Sequence, residues 1–136
     1  MIKNISLAPL KSPKFVRPMM MHYEQNGQAK TWELVDVHDS VSILLADRER
    51  ELFIIVKQFR PPVFLANEDG YTYELCAGIV DKELSLQEIA KEEIEEECGY
   101  DVSLEAIEEI TSFYTSVGFG GSRQTLYYCE IDSSMK

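Results

Sequence analysis

Five of the six residues from Glu92 to Glu97 are glutamate, and only Ile94 is uncharged. Like charges at i,i+3 and i,i+4 on a helix repel by a few tenths of a kcal/mol per pair. Such a run needs either open water or a bound cation. Crowded carboxylate oxygens suit a hard cation such as Mg²⁺, which keeps several waters and commonly takes phosphate oxygens as further ligands.

The flanking residues define the helix that carries this run. Ser85 can cap the first turn, and Glu88 three residues on completes a capping box. Gly99 stands where a left-handed C-terminal residue is wanted. At about 100° per residue, Leu86, Ala90 and Ile94 share one stripe and Ile89 lies beside it. Glu93 and Glu97 project onto the same stripe, and Glu96 onto its edge. Lys91 and Glu95 point away. A solvated acidic helix would place its glutamates opposite the apolar stripe. Half-buried carboxylates one turn apart are costly unless something positive neutralises them.

The stretch from Gly78 to Tyr100 resembles the Nudix box, the signature of Mg²⁺-dependent hydrolases of nucleoside diphosphates linked to another group. Gly78 opens it, and Glu93, Glu96, Glu97 and Gly99 are in register with it. Leu84 stands in the place of its first glutamate and Glu92 in that of its arginine, which normally helps orient the metal-binding glutamates. The joint absence of that acid and that base reads as a subfamily variation.

Further segments resemble the branch that hydrolyses ADP-ribose and UDP-sugars: Trp32-Glu33, His38 to Val41, Val56 to Pro61, Glu74 to Gly78 and Gly121 to Thr125. The resemblance implies an α+β fold, a Nudix-type α/β/α sandwich with a mixed sheet. It implies metal ligation by Glu93, Glu97 and the Ala77 carbonyl, with Glu96 as supporting ligand or proton acceptor. Mg²⁺ is the expected cofactor, with Mn²⁺ as a substitute. Trp32 would stack on the nucleobase and Glu33 would accept from base N–H groups, on an N-terminal arm that crosses to the second subunit of a homodimer. Gly78, Ile79, Gly118 and Arg123 are expected against the phosphates or distal sugar. Arg60, closing a strand beside two prolines, carries a planar fork suited to clamping phosphate oxygens. Relatives of this branch add a glutamate-bearing loop, a strand and a helix after the last strand seen here. The fold is therefore expected to be C-terminally short, and no general base is assigned. The same departures leave a second reading open, a catalytically weak or inactive nucleotide-binding module.

With 136 residues the chain has the length of one domain, divided into an arm over 1–38 and a catalytic part over 39–136. Its formal charge of −11 argues against nucleic-acid and anionic-membrane partners. It leaves an anionic small-molecule substrate open, because a bound metal inverts the local sign. Cys76, Cys98 and Cys129 are isolated and odd in number, which fits reduced thiols and a cytoplasmic location. His22 and His38 lack metal-ligand spacing.

Along the chain, Met19 to Glu24 and Ala29 to Val37 are predicted to form a hairpin around Asn26-Gly27. Ser40 to Leu45 and Leu52 to Phe59 are predicted as buried strands, the second stopped by Pro61-Pro62 and followed by a loop to Gly70. Tyr71 to Cys76, Ile107 to Thr115 and Gln124 to Ile131 are predicted as further strands, with a glycine-rich loop over 117–121.

Overall fold

The computed structural model describes residues 1–136, of which 1–16 form no helix or strand. The chain then makes an antiparallel ribbon, β1 (Arg17–Gln25) and β2 (Gln28–Asp36). Asn26 and Gly27 close it with φ of 54° and 77°, the two left-handed residues that a type I′ turn requires.

The body is built on β3 (Ser40–Asp47). Parallel β9 (Arg123–Ile131) runs along one edge for its whole length, and β8 (Glu108–Tyr114) pairs antiparallel with β9. The other edge of β3 is shared. β7 (Cys76–Ile79) takes Ser40 to Ile43, and β4 (Leu52–Ile54) takes Leu45 to Asp47. Val41, Ile43 and Leu45 alternate along β3 and share a face with Tyr127, Cys129 and Ile131 of β9, all buried. Ile89 and Ala90 of helix α2 (Leu86–Glu93), with Ile94 just beyond, complete this core. Each large apolar side chain so buried contributes roughly 1.5–3 kcal/mol. Asp47, at the buried end of β3, accepts from the backbone N–H of Glu49 and Arg50 and from Arg50 Nε (2.7 Å), which fixes the turn after the strand.

The α+β class, the mixed sheet and the N-terminal ribbon agree with expectation. Two expectations need correction. The apolar run Leu52 to Phe59 is neither one strand nor buried. It breaks at Ile55, and β5 (Val56–Phe59) pairs instead with β6 (Tyr71–Glu74) in a separate two-stranded sheet. The shared edge of β3 explains the break, since β7 already occupies its first half. Leu52, Phe53 and Ile55 are left exposed.

Pro61-Pro62 does not lead into a plain loop but opens a short helix, α1 (Pro61–Asn67). Proline fits the first helical position because that N–H has no intrahelical partner. Asn67 Oδ1 then accepts from the N–H groups of Asp69 and Gly70 (3.0 and 2.8 Å), which is the expected turn chemistry. Finally, α2 covers one face of the sheet, while α1 lies beside β6. No helix is long and apolar enough to cross a membrane.

Candidate active site

The acidic helix starts as its sequence dictates. Glu88 N–H donates to Ser85 Oγ at 3.1 Å, and Ser85 N–H donates to the Glu88 carboxylate at 3.2 Å. It does not end as a regular α-helix. From Ile94 to Cys98 it widens into a π-helical turn that closes on Gly99, left-handed at φ 77°. Such turns insert one residue into the helical path and concentrate at functional sites. Here the insertion falls between Glu93 and Glu97, so the two carboxylates are not stacked as in an α-helix. Leu86, expected on the packed stripe, is partly exposed at the helix start, while Ile89, Ala90 and Ile94 are buried.

Glu93 and Glu97 both turn towards β7. Glu93 is half-buried and lies so close to Gly78 that a Cβ there would overlap its carboxylate and stand 2.5 Å from its Cγ. Only glycine lets the strand approach the helix this closely. Glu97 is exposed, yet its Oε1 accepts from the backbone N–H of Ala77 at 3.3 Å. Glu96 is exposed on the same turn. Burial, and then the charges of Glu97 and Glu96, push the Glu93 carboxyl above its usual range. A cation at this place would relieve that unfavourable potential.

The donor set fits a divalent metal. Two carboxylates and the carbonyl-bearing backbone of Ala77 are hard oxygen donors at one strand–helix junction. No three acidic, histidine or cysteine side chains converge as a closed cage.

Arg60 is held bidentately by Glu74, Nε and Nη2 donating at 2.7 and 2.6 Å, and Thr72 donates to the same carboxylate. That ion pair holds the guanidinium pKa up, and the charge of Glu97 adds to it. Arg60 is therefore within electrostatic reach of Glu97, with one face of its fork already engaged by protein.

Trp32 and Gly118, far apart in sequence, are joined. Trp32 Nε1 donates to the Gly118 carbonyl at 2.8 Å. Val35 N–H donates to the Phe119 carbonyl at 2.7 Å, tying β2 to the glycine-rich loop. Between arm and loop lies a cavity of about 460 Å³, lined by Trp32, Val35, Val117, Phe119 and Ser122 among others. It contains none of the box glutamates. Glu33, adjacent in the strand, leaves the opposite face from Trp32 and borders a shallow cleft with Met20 and Phe119. Ile79 is partly exposed next to Gly78. Arg123 lies apart in a polar cleft, with Nε and Nη2 on Ser112 Oγ (3.0 and 2.6 Å) and its backbone N–H on Asp39.

The structure thus gathers Ala77, Gly78, Glu93 and Glu97 at one junction with Arg60 nearby, and Trp32 with Gly118 at another. Sequence reasoning missed two partners, Glu74 for Arg60 and Lys82 for Glu92. The second had a signal, because a carboxylate in the arginine's place asks for a cation elsewhere. The three cysteines are free, Cys76 and Cys129 buried and Cys98 half-buried.

No protein-family model matches the chain. It is 33% identical over 162 residues to the uridine diphosphate glucose pyrophosphatase of Bos taurus, covering 99% of this chain and 73% of that protein. It is 34% identical over 105 residues to the GDP-mannose pyrophosphatase of Pectobacterium atrosepticum, covering 76% of this chain and 53% of that one. It is also 36% identical over 94 residues to the ADP-ribose pyrophosphatase of Bacillus subtilis, covering 69% and 46%. With two box carboxylates packed on Gly78 and Ala77, and relatives of this kind along nearly its whole length, the chain belongs to the Nudix hydrolase family.

Proposed function

We propose that this protein is a divalent-metal-dependent hydrolase of nucleoside diphosphate sugars such as UDP-glucose and ADP-ribose, releasing nucleoside monophosphate and sugar phosphate. The observation that carries this reading is the meeting of Glu93, Glu97 and the β7 backbone at Gly78 and Ala77. The names of the relatives supply the substrate class.

Glu93, Glu97 and the Ala77 carbonyl would hold Mg²⁺, or Mn²⁺ in its place. When bound, the metal supplies charge neutralisation at the diphosphate and a lowered pKa for a nearby water. The remaining work falls to the chain's own residues. Glu96, exposed at the open side of the turn, is free to accept the proton of the attacking water. The water oxygen bonds to one phosphorus, and the bridging P–O bond breaks, leaving two monophosphates. Arg60, oriented by Glu74, presents its remaining N–H groups to phosphate oxygens. Gly78 and Ile79 allow close backbone approach, while the sugar-side roles of Gly118, tied to Trp32, and of Arg123, held by Ser112, come from the resemblance. Trp32 offers an indole face to the nucleobase, with Glu33 an acceptor on the other face of the ribbon.

The reading includes a homodimer. Met19, Met20, Met21 and Trp32 are each about half exposed on the arm, and a two-stranded ribbon is only marginally stable alone. A second copy covering the arm would bury these side chains and place Glu33 of one subunit beside the other's base. Sedimentation equilibrium tests it, a dimer being expected and a monomer at micromolar concentration contradicting it.

The activity is tested by Mg²⁺-dependent release of monophosphate from UDP-glucose and ADP-ribose, with Glu97→Gln as control. Turnover abolished by chelation and by E97Q is expected. Tight binding of both compounds without turnover selects a nucleotide-binding module, the reading that the Leu84 and Glu92 departures favour.

A further inference from the structure

Arg123 is an arginine without an acid. Arg48, Arg50 and Arg60 each pair with a carboxylate. Arg123 instead directs Nε and Nη2 to one neutral atom, Ser112 Oγ, at 3.0 and 2.6 Å. A guanidinium carries five N–H groups, so three of them are left without a protein partner. The side chain lies over the Tyr114 ring, 5.7 Å from its centroid, and borders a cleft of about 240 Å³.

The walls of that cleft are unsatisfied too. Thr125, paired on the sheet with Ser112 of β8, is 4% exposed. Its hydroxyl makes no hydrogen bond within the protein and opens on the cleft. Burial of a hydroxyl without a partner is costly, and a ligand atom entering the cleft would supply one. Glu109, on the same wall, forms neither an ion pair nor a hydrogen bond. Asp39 closes the cleft, one carboxylate oxygen accepting from the Arg123 backbone N–H at 2.9 Å. Leu86, 37% exposed, forms its apolar side.

This cleft and the metal junction stand at opposite ends of α2. Leu86, the first residue of the helix, borders the cleft, and Glu93, its last, packs on Gly78. On the sheet below, Thr125 pairs with Val41 and Val41 with Gly78. Two strand spacings, about 10 Å, therefore separate the two places, and Val41 between them is fully buried.

We infer that the cleft around Arg123 is a glycosyl-binding site, which takes an uncharged sugar ring through its hydroxyl groups. Arg123 offers only donors, Asp39 and Glu109 only acceptors, and Ser112 and Thr125 either. Vicinal hydroxyls answer all three, because each one both donates and accepts, and the C–H face of the ring would lie against Leu86. A phosphate would meet two carboxylates for one guanidinium, in a protein of formal charge −11, and is disfavoured. A free sugar and the glycosyl end of a nucleotide sugar both carry the chemistry that fits. None of these groups is a proposed metal ligand, so binding here is expected without metal and without turnover.

The test is nuclear magnetic resonance on the full, metal-free chain, following the Arg123 Nε–H group and the amide of residue 125. Glucose and UDP-glucose are the probes, with UMP, inorganic phosphate and alanine as controls. Glucose is expected to move both resonances saturably. R123M and E109Q each remove a hydrogen bond of a charged group and are expected to weaken binding about 10-fold or more, and T125V about 2–10-fold, read at the amide of residue 125. Arg123 and Glu109 are exposed, so those two variants decide the matter even if T125V fails to fold. Movement by UDP-glucose without movement by UMP assigns the cleft to the glycosyl end of a nucleotide sugar. Movement by glucose alone assigns it to a free sugar, and either result upholds the site. Absence of saturable movement with both sugars overturns it. So does movement with UMP, phosphate or alanine but not with glucose, or glucose binding that R123M and E109Q leave unchanged.

Discussion

Replacing Gly78 by alanine is expected to reverse the sign of its effect with the side chain at position 93. Gly78 lies in β7 without positive φ, so its backbone is one that alanine adopts freely. Taken alone, Gly→Ala at such a place stabilises by about 0.4–1 kcal/mol through the unfolded chain. In this protein the added methyl overlaps the Glu93 carboxylate and comes within 2.5 Å of Glu93 Cγ. Overpacking of this kind costs about 1–3 kcal/mol, which outweighs the gain. The net effect is a loss of roughly 0–2.6 kcal/mol, relieved in part as Glu93 rotates off β7. In a Glu93→Ala background no collision remains, and Gly78→Ala should stabilise by the full ~0.4–1 kcal/mol. Urea unfolding of the four proteins gives the coupling directly. Activity is expected to behave differently: G78A displaces Glu93, the proposed metal ligand, and should lose turnover, and the double variant should not regain it. A G78A destabilisation of equal size in both backgrounds would refute the packing of Glu93 on Gly78.

Removing the cap of α2 with Ser85→Ala should cost about 1 kcal/mol by urea unfolding, and a change within a few tenths would deny the capping box its role. Hydrogen bonds from the Arg50 backbone and then its side chain hold the Asp47 carboxyl below the ordinary value of 3.8. Its stabilisation is therefore complete above that value and lost as pH falls through the lowered one. Asp47→Asn should flatten the acid limb of the stability curve, and an unchanged limb would contradict this. Stacking of a base on an aromatic ring is worth about 1–3 kcal/mol, so Trp32→Leu should raise KM roughly 5- to 150-fold with little change in kcat. A fall in kcat at constant KM would remove Trp32 from the base site.

The acidic helix was legible in the sequence because its signals are local. Ser85, Glu88 and Gly99 fix its ends by hydrogen bonds and φ, and these need no knowledge of the rest of the fold. Gly78 was legible only as a motif position; its reason, the approach of Glu93, appears when strand and helix are brought together. The run Leu52 to Phe59 misled because an apolar run records composition and not coverage. Its break at Ile55 follows from competition between β7 and β4 for one edge of β3. The π-turn after Glu93 also escaped, since periodicity at 100° assumes a regular helix. The ties of Arg60 to Glu74 and of Trp32 to Gly118 depend on pairing of distant segments, 14 and 86 residues apart.

The central claim is a divalent cation at the junction of helix and strand, and diffraction from a Mn²⁺-soaked crystal grown with a non-hydrolysable nucleoside diphosphate sugar analogue tests it most directly. The expected result is an anomalous peak bonded to the Glu93 and Glu97 carboxylates and the Ala77 carbonyl, with diphosphate oxygens completing the shell. Mn²⁺ bound elsewhere, with both carboxylates turned to solvent and the diphosphate away from Arg60, would contradict the account.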